Sequence, residues 1–234
     1  MALCNRIGIL CAGDNELTPF LPHIEDCKTE THALLTFYTG RLEEQPVVLL
    51  YSGVCKVNAA IAAQLLIDRF SVDAILNAGT AGGMDTRLDL FDTAVTTEVC
   101  YHDVAPDILT DFHPWLKSVW MPTDPMLLAL CRRAATSFPG RVFFGRTVCG
   151  ESFITDAGRA DIQKTYAPLT ADMESGAVAQ VCHANGVPFL TIRTVTDTAA
   201  HSGIENFEKN CARAVGIAAD LTLALLREIG KAVQ

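Results

Sequence analysis

The chain has 234 residues, half of them hydrophobic and 19% charged, which excludes intrinsic disorder and is ample for the core of one α/β or large all-β domain. The formal charge of -9, from 18 Lys+Arg against 27 Asp+Glu, repels phosphate backbones, so no nucleic-acid partner is expected. No stretch reaches the roughly 18 unbroken apolar residues of a spanning helix, and residues 1–12 are too short and glycine-interrupted for a secretory signal, which predicts a soluble, cytoplasmic protein with no membrane partner.

In chain order, residues 6–12, 34–38 and 47–51 read as strands, and 57–70 as a helix whose apolar residues recur every three to four positions. Residues 73–76 and 93–99 read as further strands, followed by an irregular stretch at 112–125 that suits a lid, a pocket wall or an oligomer contact. A helix at 125–136, strands at 142–148 and 169–173, a helix at 174–185, a strand at 188–195 and a long helix at 204–229 complete the pattern. The alternation predicts an α/β fold: a single three-layer domain over 1–234, with a central mixed, mostly parallel twisted sheet flanked by helices.

The nine cysteines (Cys4, Cys11, Cys27, Cys55, Cys100, Cys131, Cys149, Cys182 and Cys211) are dispersed singly, as reduced core thiols would be. None pairs at zinc spacing, and no metal is expected. In open parallel sheets ligands sit beyond the carboxyl ends of strands. Four segments predicted as loops there hold unusual residues: Cys11 to Glu16, Asn77 to Gly83, Asp172-Met173-Glu174 and Thr196-Asp197-Thr198.

Gly79-Thr80-Ala81-Gly82-Gly83 suits close approach of backbone N–H groups to an oxygen-rich ligand, and equally a tight turn. Glu174 opens a helix, where the dipole favours its carboxylate. With Glu16 and Asp197 it makes three carboxylates at comparable strand ends, a set able to divide into proton donor and water activator for glycosidic cleavage. Arg193 lies inside the apolar run 189–195 and is expected to reach a carboxylate. His102 and Asp103 read as pocket members or as structural residues, Lys56 as a phosphate binder or a solvated lysine, and His23, His32, His113, His183 and His201 as surface or core residues.

Together these segments resemble the 5′-methylthioadenosine/S-adenosylhomocysteine nucleosidases of the nucleoside phosphorylase superfamily. The likeness covers nearly the whole chain and rests on Arg6 to Ile9 with Glu16, Ser52-Gly53-Val54-Cys55-Lys56-Val57, Asn77 to Gly83, Tyr101-His102-Asp103, Gly150-Glu151-Ser152-Phe153-Ile154, Asp172-Met173-Glu174 and Arg193-Thr194-Val195-Thr196-Asp197. The resemblance implies hydrolysis of the N-ribosidic bond of adenine nucleosides without a cofactor. Asp197 would be the general acid at purine N7, Glu16 the base on the attacking water, and Arg193 and Glu174 would help hold that water. Glu174 and Met173 would also meet the ribose, Phe153 would stack on the base, and the Ile154 backbone would read the adenine edge. Thr80, Ala81, Gly82 and Val54 would line the pocket, Thr196 would support Asp197, and Phe207 would sit beside the 5′ substituent.

A purine nucleoside phosphorylase of the same superfamily is the alternative. Such enzymes commonly place one arginine in the first glycine loop and one just before the second, where this chain has Glu16 and Asn77, and a carboxylate beside phosphate is repulsive. A nucleoside-binding module without catalysis is expected to lack the acid or the base, and both are present. The first loop, Gly13-Asp14-Asn15-Glu16, departs from the Met-Glu-Glu-Glu frequent in the family, and 104–109 departs from its usual alkylthio pocket, which leaves the 5′ group less defined than the bond cleaved. The family also implies a homodimer, with apolar surface expected on 57–70 and 115–121.

Overall fold

Ile7–Cys11 forms β1, a wholly buried strand whose alternation separates the two sides of the molecule. Ile7, Ile9 and Cys11 face one apolar cluster, and Leu10 faces another. The computed structural model describes residues 6–112, 116–154, 156–200 and 204–233. Cys4, His113, Trp115 and His201 lie outside the described residues.

After β1 come a short helix α1 (Asp14–Leu17), a 3-10 helix (Thr18–His23) and the antiparallel strands β2 (Glu25–His32), β3 (Leu35–Leu42) and β4 (Gln45–Tyr51). Helix α2 (Lys56–Phe70) leads to β5 (Ala74–Gly83), then β6 (Thr93–Tyr101), α3 (Pro106–Asp111) and the two-residue β7 (Met121–Pro122). The remainder runs α4 (Pro125–Thr136), β8 (Val142–Cys149), α5 (Asp156–Tyr166), β9 (Thr170–Asp172), α6 (Ser175–Asn185), β10 (Phe189–Asp197) and α7 (Ile204–Val233).

The sheet is mixed. β1 runs parallel to β4 and β5, β5 to β10, β6 to β8 and β8 to β9, whereas β10–β6, β5–β9 and β6–β7 are antiparallel. Helices α4 and α7 cover the face of Ile7 and Ile9 through Leu127, Leu130, Leu221 and Leu225, and α2 and α6 cover the face of Leu10 through Ala63, Leu66 and Val178. These are the three layers expected of an α/β fold. Among the described residues, no helix is long and apolar enough to cross a membrane.

Several elements differ from the sequence reading. Asn77 to Gly83 is not a loop after a strand but the second half of β5, and Thr196 and Asp197 still belong to β10. β2 and α5 are absent from that reading; both are polar, with neither period strong enough to mark them. The described part of 115–121 turns inward instead of presenting an apolar outer face: Leu116 and Met121 are buried, and Trp120 packs edge-on against Tyr166 beneath Arg146. Cys27 is exposed on β2 and Cys55 is half-buried, so the thiols are not uniformly core residues, although the other described cysteines are buried and all eight are free.

Candidate active site

The parallel pairing of β5 with β10 sets Arg193 opposite Gly79 and Asp197 opposite Gly82. A bare α-carbon is required at Gly79 and leaves close room at Gly82. A Cβ on Gly79 would lie 2.4 Å from Glu16 Oε1 and 2.6 Å from Arg193 Nη1, and one on Gly82 would lie 3.2 Å from Asp197 Oδ2. The glycines therefore make room for the protein's own charged side chains, a use distinct from redirecting the chain.

Glu16 reaches this place from α1, and its carboxylate is buried and held by four donors. Oε2 accepts from the backbone N–H groups of Ala12 at 2.7 Å and Gly13 at 3.3 Å. Oε1 accepts from the Thr80 N–H at 2.7 Å and the Thr80 hydroxyl at 3.0 Å. Converging backbone N–H groups of this kind make an anion site, and here a side-chain carboxylate fills it.

Arg193 is fully buried in the middle of β10. Its Nε donates to Asp172 Oδ2 at 3.0 Å, and its Nη2 donates to Asn77 Oδ1 at 2.8 Å and to Glu174 Oε2 at 3.3 Å. Burial alone would push the guanidinium pKa down, but Asp172, Glu174 and Glu16 hold it above its ordinary value. Nη1, on the Glu16 side, has no partner among the described residues. A buried donor left open there is suited to a water or a substrate oxygen. Asp172 is fixed in turn by donation from the Ser175 N–H at 3.0 Å and the Ser175 hydroxyl at 2.7 Å at the start of α6.

Glu174 caps α6 and is buried. Its Oε1 accepts from the Cys55 N–H at 3.0 Å, an amide aimed by the unusual φ of 84° at Cys55. Burial raises its pKa from 4.5 to about 7 against the pull of Arg193, and Asp172 adds to the rise. Asp197 is likewise buried, and loss of solvent pushes its carboxyl pKa up. Its Oδ1 accepts from the Thr196 hydroxyl at 3.1 Å, and its Oδ2 lies 3.6 Å from Nη2 of Arg159.

A cavity of about 430 Å³ joins these groups. The sequence-predicted residues Glu16, Thr80, Ala81, Gly82, Met173, Glu174, Thr196 and Asp197 line it from the strand ends. Val54 closes it from the loop before α2, Phe153 and Ile154 from the segment before α5, and Phe207 from α7. Arg193 lies beneath the wall and does not line it.

Sequence reasoning missed Asp172 and Asn77 as the partners that orient Arg193, and it missed Arg159, which sits in a polar run with no motif around it. Lys56 is not freely solvated: its ammonium bonds both oxygens of Asp103 at 2.9 Å and lies 4.9 Å from the Tyr101 ring centre. His102 packs against the Gly150 α-carbon outside the cavity wall, with Nε2 buried and unpartnered among the described residues.

A model of the phosphorylase superfamily matches residues 6–227. The chain is 38% identical over 231 residues to a 5′-methylthioadenosine/S-adenosylhomocysteine nucleosidase of Halalkalibacterium halodurans, covering 96% of this chain and 99% of that one. The structure is similar to the nucleosidase of the same description from Colwellia psychrerythraea in complex with adenine, with a TM-score of 0.88, 30% identity and coverage of 98% and 96% of the two chains. It is equally similar to that of Neisseria meningitidis in complex with methylthio-immucillin-A, with a TM-score of 0.88, 29% identity and coverage of 95% and 99%.

Proposed function

The chain belongs to the phosphorylase superfamily and, within it, to the 5′-methylthioadenosine/S-adenosylhomocysteine nucleosidases, and from this membership and the geometry of the cavity we propose that it hydrolyses the N-ribosidic bond of adenine nucleosides. Its substrates on this reading are 5′-methylthioadenosine and S-adenosylhomocysteine, with 5′-deoxyadenosine also accepted, and its products are adenine and the free 5-substituted ribose.

The observation that carries water rather than phosphate as the nucleophile is the seat of Glu16. The backbone N–H groups of Ala12, Gly13 and Thr80 are the donors an incoming phosphate would need, and a carboxylate already occupies them. Asn77, where a phosphorylase commonly places an arginine, is committed to Arg193 and to the Leu10 carbonyl. A second anion beside Glu16 would be repelled.

Cleavage of a ribosidic bond passes through an oxocarbenium-like sugar, which calls for a proton on the leaving base and a held water on the opposite face. Asp197, whose burial favours the protonated carboxyl, delivers the proton to N7. Glu16 accepts the proton of the attacking water, which the neighbouring Glu174 helps to hold, with Arg193 beneath the wall orienting the Glu174 carboxylate. Glu174 and Met173 meet the ribose, Phe153 and Ile154 the base, and Phe207 and Val54 the 5′ end. Negative groups on the cavity wall stabilise the developing positive sugar.

The supporting experiment is adenine release from methylthioadenosine, S-adenosylhomocysteine, 5′-deoxyadenosine, adenosine and inosine, each with and without phosphate. Equal release without phosphate, with free sugar as product, is expected. Strict phosphate dependence with sugar 1-phosphate as product would replace this reading by the phosphorylase.

The apolar side chains of Val54, Val57 and Ile61 are 50%, 68% and 45% exposed along the segment before α2 and its first turns, and Val54 also lines the cavity. A face of this kind suits an isologous contact, and the protein is a cytoplasmic homodimer on this reading, with the partner covering the 5′ end. Sedimentation that finds only fully active 25.2 kDa monomers would contradict the dimer.

A further inference from the structure

Arg159 is a buried cation with no place in the mechanism above. It projects from α5, its side chain is 9% exposed, and it lines the cavity at the Asp197 end. Its Nη1 donates to the Gly83 carbonyl and contacts the Met84 sulfur at 3.4 Å, its Nη2 lies 3.6 Å from Asp197 Oδ2, and its Nε has no partner among the described residues. One carbonyl and one thioether do not offset the desolvation of a guanidinium. The acidic side chain set against the cation is Asp197, 3.6 Å away.

Resting on the nucleosidase reading, we propose that Arg159 is a positioning residue for leaving-group protonation: it stabilises the carboxylate that Asp197 becomes when its proton passes to the purine. The balance of the step shows where the cation acts. The Asp197 O–H proton goes to N7, the C1′–N9 bonding pair goes to the base, the water oxygen bonds C1′, and the water proton goes to Glu16. Negative charge therefore appears on Asp197 as the base departs. A cation already fixed beside Oδ2 needs no reorganisation to meet it. Thr196 donates to the other oxygen, so each carboxylate oxygen has its own support.

The surroundings make the role separable. β5 presents the bare α-carbons of Gly82 and Gly83 to Asp197, β10 presents Thr196, α7 presents Asn210 to the Thr196 carbonyl, and α5 presents Arg159. Glu16, Asp172 and Glu174 line the same cavity, with Arg193 behind them, and among the described residues none of these four is bonded to Arg159. Burial pushes the Asp197 pKa up while Arg159 pulls it down. Removing the cation makes Asp197 a weaker acid that keeps its proton to higher pH.

The test compares wild type, R159Q, R159K and D197N in phosphate-free kcat and kcat/KM for methylthioadenosine across pH 5 to 10, with thermal melting to check the fold. In R159Q, kcat is expected to fall about 10-fold to 100-fold, a share of what general acid catalysis supplies, and the alkaline limb of kcat/KM to move to higher pH. R159K retains the charge but not the fork of donors, so it should restore the limb and part of kcat. D197N should lose the limb. An R159Q protein with wild-type kcat, or with a reduced kcat and an unmoved limb, overturns the proposal and leaves Arg159 as a tie between α5 and β5. An inactive wild type overturns the nucleosidase reading, and this role with it; an active wild type beside an unaffected R159Q removes this role alone.

Discussion

Glu16 Oε1 accepts two hydrogen bonds from one residue, the N–H and the hydroxyl of Thr80, at 2.7 and 3.0 Å. A valine at position 80 keeps the backbone donor and loses the hydroxyl, so the two contributions to holding the carboxylate can be separated. In T80V the carboxylate keeps three donors and loses one degree of orientation. A hydrogen bond to a charged group contributes roughly 1.5–3 kcal/mol, so kcat should fall ~10-fold with the fold intact. In E16Q the proton acceptor itself is gone, and kcat/KM should fall ~100-fold or more. Steady-state adenine release by the two variants checks the order; T80V weaker than E16Q would contradict it.

Arg193 neutralises two buried carboxylates at once, Asp172 and Glu174, and its removal strands both. R193M should lose about 3–5 kcal/mol of stability in urea denaturation, the usual consequence of leaving buried charge unpaired. A loss below about 1 kcal/mol, the scale of an exposed ion pair, would mean that water reaches the carboxylates.

The raised pKa of Glu174 has a stability signature of definite sign. Its native value is about 7, above the ordinary 4.5, so between those pH values the folded chain binds more protons than the unfolded one. Stability contributed by this group is present below about pH 4.5 and is lost as pH rises through about 7. E174Q does not titrate there. Its urea midpoint relative to wild type should therefore rise between pH 5 and pH 8, even as the substitution removes activity. A constant difference across that range would show that Glu174 titrates as a solvated acid.

The elements that position these groups differ in how far the sequence revealed them. β1 stands out because its apolar run is unbroken, and α6 and β10 because small and apolar or β-branched residues dominate them between clear turn signals. β2 escaped because seven of its eight residues, all but Cys27, are polar and the strand is mostly exposed, and its turn into β3 is made by Ala33 and Leu34 at φ 50° and 65°, where glycine or asparagine is the usual signal. Glu43 and Glu44, at φ 47° and 64°, hide the next turn in the same way. The glycines of β5 suggested a loop because sequence shows their flexibility and not the carboxylates packed against them. The three carboxylates at strand ends were legible because burying charge is costly enough to leave a pattern. Asn77 and Arg159, which act through Arg193 and Asp197, leave no pattern of their own.

Two glycines separate a site requirement from a helix cost. At Gly79 an added Cβ would collide with the terminal atoms of Glu16 and Arg193 at 2.4 and 2.6 Å, and neither side chain is free to move, since one is held by four donors and the other by three acceptors. G79A should displace the carboxylate from its seat, reduce kcat/KM ~100-fold and destabilise the protein by about 1–3 kcal/mol, as overpacking does. Gly216 lies inside α7, and a methyl group added there would meet nothing within 4 Å. G216A should stabilise the protein by about 0.5–1 kcal/mol through helix propensity and leave turnover unchanged. Thermal melting and adenine release on both variants make the contrast: an active G79A would mean that Glu16 does not need its observed position, and a destabilised G216A would mean that α7 is covered by another chain at that point.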